Sequence, residues 1–137
     1  MQFRYESQSG ARVDDTTGRE LEDLLPRLDG VDDSYASLTD LDAGSYVQAG
    51  GGPAGFTGEW RDVRPDGTVT HWKAVRKGAE SPTRRVLAIG GADVTVREDE
   101  VLDLATVVAL FRALLDGRRT DAPAAWRDVT PMFAIDA

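Results

Sequence analysis

A single histidine, His71, is the residue best suited to acid and base chemistry near neutral pH. It sits on a segment that alternates with Trp72, so one of the two faces the sheet core and the other faces water or the helix. Glu59 lies on the preceding segment, across an expected hairpin, and can approach it. A Glu–His pair across two strands can move a proton, yet no nucleophile stands beside it at any recognisable spacing. Trp60, Trp72, His71 and Glu59 thus mark an alternative reading: a small-molecule-binding or catalytic domain with a pocket between sheet and helix. Gly50-Gly51-Gly52-Pro53-Ala54-Gly55 follows a strand, as phosphate cradles do. Such cradles need a helix next, whereas here a strand follows, so the stretch reads as a flexible loop between strands. Asp14-Asp15, Asp32-Asp33 and Glu98-Asp99-Glu100 lack the spacing of a calcium loop and read as solvated loops or helix caps. The chain has no cysteine, which removes disulfides, thiolate metal sites and cysteine nucleophiles together. No cofactor or metal is expected.

The elements that must position these residues follow from periodicity. The chain has 137 residues, 41% of them hydrophobic, which fits one domain. Residues 2–13 alternate loosely, as a weak opening strand. Thr17 and Glu20 form a capping box before Leu21, Leu24, Leu25 and Leu28, the apolar stripe of a short N-terminal helix that Pro26 and Gly30 end. From Ser34 to Val96 the period becomes two. Strands are expected at 34–38, 45–49, 55–63, 69–76, 85–89 and 94–96, with Pro65-Asp66-Gly67 as a strong hairpin turn and Lys77–Thr83 as a polar loop. Val101, Leu104, Val108, Phe111 and Leu115 mark a helix over 100–116, capped by Asp99 or Asp103 and ended by Gly117. Ala125–Val129 reads as a last short strand. The expected fold is a single α+β domain over 1–137, an antiparallel meander of about six strands packed against the C-terminal helix. Trp60, Trp72 and Trp126 belong to its core.

Charge is distributed unevenly. Ten acidic residues lie between Asp14 and Asp42 against only Arg19 and Arg27, so this stretch alone accounts for the net charge of −8. It repels phosphates, which excludes a nucleic-acid partner, and it would steer a basic protein. The expected partner-binding residues are Glu20, Glu22, Asp23, Asp29, Asp32, Asp33, Asp40 and Asp42, with Tyr35 and Tyr46 as anchors. No apolar run approaches the length of a membrane span, and Met1–Glu6 lacks the apolar core of a secretory signal, so a cytoplasmic location is expected. Fourteen of the 16 basic residues are arginine, and there is no asparagine, a bias that fits a GC-rich bacterial genome.

Val94-Thr95-Val96, the acidic cap, the apolar helix through Phe111-Arg112-Ala113-Leu114-Leu115, Gly117, Pro123 and Trp126 resemble the tail of Imm1-type immunity proteins of bacterial polymorphic toxin systems. The likeness spans residues 94–129. It implies an α+β domain with a meander sheet and a non-enzymatic inhibitor that covers a cognate toxin. Toxins that act on nucleic acids present basic clefts, which the acidic stretch would meet. A homodimeric scaffold or accessory subunit, joined at a sheet edge, is a third reading.

Overall fold

The computed structural model describes residues 2–78 and 81–134. The polar loop expected at Lys77–Thr83 includes Ala79 and Glu80, which lie outside the described residues. In chain order the elements are β1 (Phe3–Ser7), β2 (Arg12–Asp14), α1 (Gly18–Leu24), β3 (Tyr35–Asp40), β4 (Tyr46–Gly52), β5 (Gly55–Val63), β6 (Val69–Val75), β7 (Arg84–Ile89), β8 (Ala92–Arg97), α2 (Leu104–Leu115), β9 (Ala125–Asp128) and α3 (Thr130–Ala134). The class is α+β. Short-range chemistry accounts for the boundaries. Thr17 and Glu20 make the expected capping box on α1, and Pro26 falls in the 3-10 turn that follows it. Asp103, rather than Asp99, caps α2 by accepting from the backbone of Thr106. Pro65-Asp66-Gly67 closes the β5–β6 hairpin, with Gly67 at φ +88.

Seven strands form one antiparallel sheet in the order β2-β1-β3-β4-β5-β6-β9, and β7 and β8 form a separate two-stranded hairpin. This corrects the expected six-strand meander. The segments 85–89 and 94–96 leave the sheet, and β9 takes the edge beside β6 in their place. Alternation gives β8 one apolar face, Val94 and Val96, whereas Val86-Leu87-Ala88-Ile89 of β7 is apolar on both faces. Neither pattern shows which surface the hairpin covers.

A row of side chains crosses the sheet in register: Tyr5, Leu38, Val47, Trp60 and Trp72. The first four are buried, and α2 lies over this face with Val107, Leu110, Phe111 and Leu114 turned inward. Phe111 meets Tyr5 at 6.4 Å between ring centroids. Gly58 allows the close approach of α2, because a Cβ there would stand 2.6 Å from Leu110 Cδ1. The short α1 packs beside α2. The edge strand β2 is three residues long and carries Arg12 and Asp14, which blunts edge-to-edge pairing.

Leu110 should therefore be among the most sensitive positions. Leu110→Ala is expected to cost about 2–5 kcal/mol in urea unfolding, and Gly58→Ala about 1–3 kcal/mol from overpacking. Near-zero losses at both positions would contradict the packing of α2 on this face.

Candidate functional site

The face of the sheet away from α2 carries three polar rows. Tyr35, Gly50 and Thr57 form one. Ser37, Gln48, Glu59, Lys73 and Arg127 form the second, and Thr39, Tyr46, Arg61 and His71 the third. The β7–β8 hairpin lies over part of this outer face. Ile89 sits on Gly50, where a Cβ would come within 2.8 Å of its Cδ1. The three-glycine stretch is therefore no flexible loop: Gly50, Gly51 and Gly52 are buried in β4, and a Cβ at Gly52 would meet the backbone of Asp29 and Gly30 at 2.5–2.8 Å.

The hairpin is tied at both ends. At its tip, the Gly90 amide donates to Ser34 Oγ at 2.7 Å, and Ser34 in turn donates from its hydroxyl and its amide to Gln8 Oε1. At its base, Arg97 donates to Asp99 Oδ2 at 2.8 Å. Arg127 of β9 lies 3.7 Å from the same oxygen and donates to Glu100 Oε2 at 2.7 Å. Asp99 is 1% exposed and Glu100 is also buried, so neither is a solvated loop residue, while Glu100 does act as a cap, accepting from the Arg97 amide at the start of the 3-10 turn Glu98–Glu100.

Between hairpin and sheet lies a cleft of about 440 Å³. Tyr35, Ile89 and Val94 wall it, and Ser37, Gln48, Thr57, Glu59 and Lys73 line its floor. Gln48 Nε2 donates to Glu59 Oε2 at 2.6 Å, and Lys73 Nζ stands 3.7 Å from Glu59 Oε1. Of the cleft residues, the sequence points to Tyr35, Glu59 and, within the glycine stretch, Gly50. The others were within reach, because the Pro65-Asp66-Gly67 turn sets Glu59 opposite Lys73 and alternation puts Gln48 on the same face. What stayed hidden was the roof.

Trp60, Trp72, His71 and Glu59, expected to line one pocket between sheet and helix, do not share a face. Alternation divides the four residues between two faces. Trp60 is buried under α2, in edge-to-face contact with Trp126, and the Arg119 guanidinium covers the Trp72 ring at 3.9 Å. Glu59 and His71 point to the outer face. His71 stands opposite Arg61 rather than Glu59. Its pKa is held below the usual imidazole value, first by partial burial and then by the Arg61 charge, with Glu59 opposing.

The acidic stretch is divided as well. Glu20, Glu22 and Asp23 ride on α1, where Glu20 is used in the capping box and Glu22 pairs with Arg112 of α2. Asp40 and Asp42 lie at the end of β3, near Tyr46, and Asp40 Oδ1 caps the amides of Asp42 and Ala43. Asp29, Asp32 and Asp33 stand just before the start of β3, beside Tyr35. They are separated from the Asp40 end by a strand's length, roughly 17 Å at about 3.3 Å per residue. The ten carboxylates thus do not share one surface, but Asp29, Asp32, Asp33 and Tyr35 do cluster.

That cluster is internally braced. Asp29 Oδ1 accepts from the amides of Val31, Asp32 and Asp33 at 2.8–3.1 Å. Asp33 Oδ1 accepts from the Ser9 amide at 3.3 Å. Val31 is 70% exposed and Tyr35 46%, so the loop holds an apolar and an aromatic group in solvent among carboxylates. The same loop faces Val86, which is 58% exposed, across a hollow of about 150 Å³.

The backbone donors to Asp29, those of Asp33 and Val31 foremost, hold its pKa below the usual carboxylate value. Because the folded pKa is the lower one, the bracing is fully present above the unfolded value and is lost as pH falls through the folded value. Protection of the Val31, Asp32 and Asp33 amides, taken relative to their intrinsic exchange at each pH, should therefore persist at mildly acidic pH and fall as pH drops through the lowered Asp29 value, while Asp29→Ala abolishes it throughout. Protection unchanged in Asp29→Ala would contradict this account of the loop. No helix among the described residues is long and apolar enough to cross a membrane. Comparisons with family models, with curated proteins and with solved structures find no match for this chain.

Proposed function

We propose that this protein is a non-enzymatic inhibitor of the immunity-protein kind, which binds a basic protein partner at the end of the sheet built by residues 29–33 and Tyr35. The observation that carries the reading is the braced acidic loop, with Val31 and Tyr35 exposed beside Asp29, Asp32 and Asp33. An exposed tyrosine and an aliphatic group ringed by charge have the composition of an interface hot spot with a polar rim. Bracing before binding lowers the ordering cost of association. The carboxylates raise the rate of encounter with a cationic surface such as the cleft of a nucleic-acid-cutting toxin. A bacterial, cytoplasmic setting fits such a role. Glu20, Glu22, Asp23, Asp40, Asp42 and Tyr46 lie outside this epitope and contribute at most to the long-range field.

The test is the binding kinetics of the purified chain with the product of the adjacent gene. The association rate should fall at least about tenfold from low to high salt. Asp32→Lys with Asp33→Lys should remove most of that dependence. Tyr35→Ala should leave association unchanged and speed dissociation about 30-fold, as loss of a hot-spot side chain worth ~2 kcal/mol does. Absence of binding, or binding indifferent to these changes, would overturn the reading.

A further inference from the structure

The cleft under the β7–β8 hairpin is independent of the acidic epitope except for Tyr35, and its chemistry differs. Its walls are aromatic and aliphatic, and its floor places one carboxylate and one ammonium side by side. Among the described residues Glu59 receives one hydrogen bond, from Gln48, at one of its two oxygens. Its other oxygen faces Lys73 Nζ at 3.7 Å, which is too long for a hydrogen bond. An ionised carboxylate has room for about four donors. An ammonium has three protons to give. Both groups therefore keep hydrogen-bonding capacity directed at the same space, and each is more than half sequestered from water.

We propose that this cleft binds a small zwitterion, an α-amino acid with an apolar side chain, with its ammonium on Glu59 and its carboxylate on Lys73. Charge balance selects such a guest. A cationic guest would satisfy Glu59 but press a like charge against Lys73. An anionic guest would satisfy Lys73 but press against Glu59. A guest carrying both charges on one carbon meets both without an uncompensated charge in a partly desolvated site. Its side chain then lies against Tyr35, Ile89 and Val94, and the hydroxyls of Ser37 and Thr57 flank the polar end. The volume of about 440 Å³ falls within the usual range of small-molecule sites. Because the hairpin is fixed at tip and base, the cleft exists before the ligand arrives, which favours binding of a small guest.

The experiment is calorimetric titration of the full chain with L-phenylalanine and L-leucine, beside N-acetyl-L-phenylalanine, which keeps only the carboxylate, and L-phenylalanine amide, which keeps only the ammonium. The free amino acids should bind saturably and each capped form at least about tenfold more weakly, a difference of ~1.4 kcal/mol. Glu59→Gln should erase the preference for phenylalanine over its N-acetyl form. Lys73→Met should erase the preference over the amide. An independent readout is the Ile89 δ1 methyl resonance of the unaltered protein, which should shift with the free amino acids at the calorimetric affinity. Tighter binding of the amide or of the N-acetyl form, an Ile89 methyl that stays put, or no saturable binding at all would overturn the proposal. None of these outcomes depends on a protein partner, so failure here leaves the partner reading untouched.

Discussion

A carboxylate taken out of water must find cations, and Asp99 is 1% exposed. Its charge is met by Arg97 at the end of β8 and by Arg127 on β9, while Glu100 binds Arg127 and accepts from the Arg97 backbone amide at 2.8 Å. Desolvating such a group costs several kcal/mol unless the partners stay in place. The base of the hairpin is consequently fastened to the far edge of the main sheet. Arg76, just beyond β6, joins the same corner by donating its amide to the Asp99 carbonyl at 2.7 Å. This corner, together with the Gly90–Ser34–Gln8 hydrogen bonds at the tip, decides where the second layer of the molecule lies.

The two faces of the sheet then have different tasks. The face under α2 is an apolar core, closed by Leu110 on Gly58 and by Arg119 over Trp72. The outer face is polar and only partly covered, and it holds the charged residues that alternation removes from the core. Gly50 matters here in the same way as Gly58: the missing side chain is the seat of a residue from another layer. Because the cleft and the braced loop both border Tyr35, the start of β3 is where covered and open surface meet. The loop is positioned by its own Asp29, by the Ser9 amide on Asp33 and by the packing of Gly30 on Gly52.

Much of the local structure was legible in the residues. The capping box of Thr17 and Glu20, the Pro65-Asp66-Gly67 turn and the 3.6-residue stripe around Leu110 each depend on interactions within a few residues of one another. Strand β5 falls at 55–63 as its alternation implies. The destination of β7 and β8 was not legible, because docking onto Gly50 rather than pairing with β6 is decided by groups far apart in the chain. Glycine composition pointed to flexibility at 50–52, whereas close packing is the reason for those residues. The acidic stretch misled for a related cause: charge summed along the sequence says nothing of direction, and β3 carries its two acidic ends apart. Asp99 and Glu100 looked solvated for the same reason, since Arg127, which pairs with both, lies far along the chain on β9.

The central claim is that the hairpin lies across the outer face of the sheet. The sequence contains only two isoleucines, Ile89 and Ile135, so a sample labelled at isoleucine δ1 methyls gives a spectrum that is simple to read. The nuclear Overhauser contacts of the Ile89 methyl report its neighbours directly. The structure predicts a strong contact to the Gly50 α-protons. Lack of that contact, together with backbone contacts pairing residues 84–89 to 69–75 as a continuation of the main sheet, would contradict it.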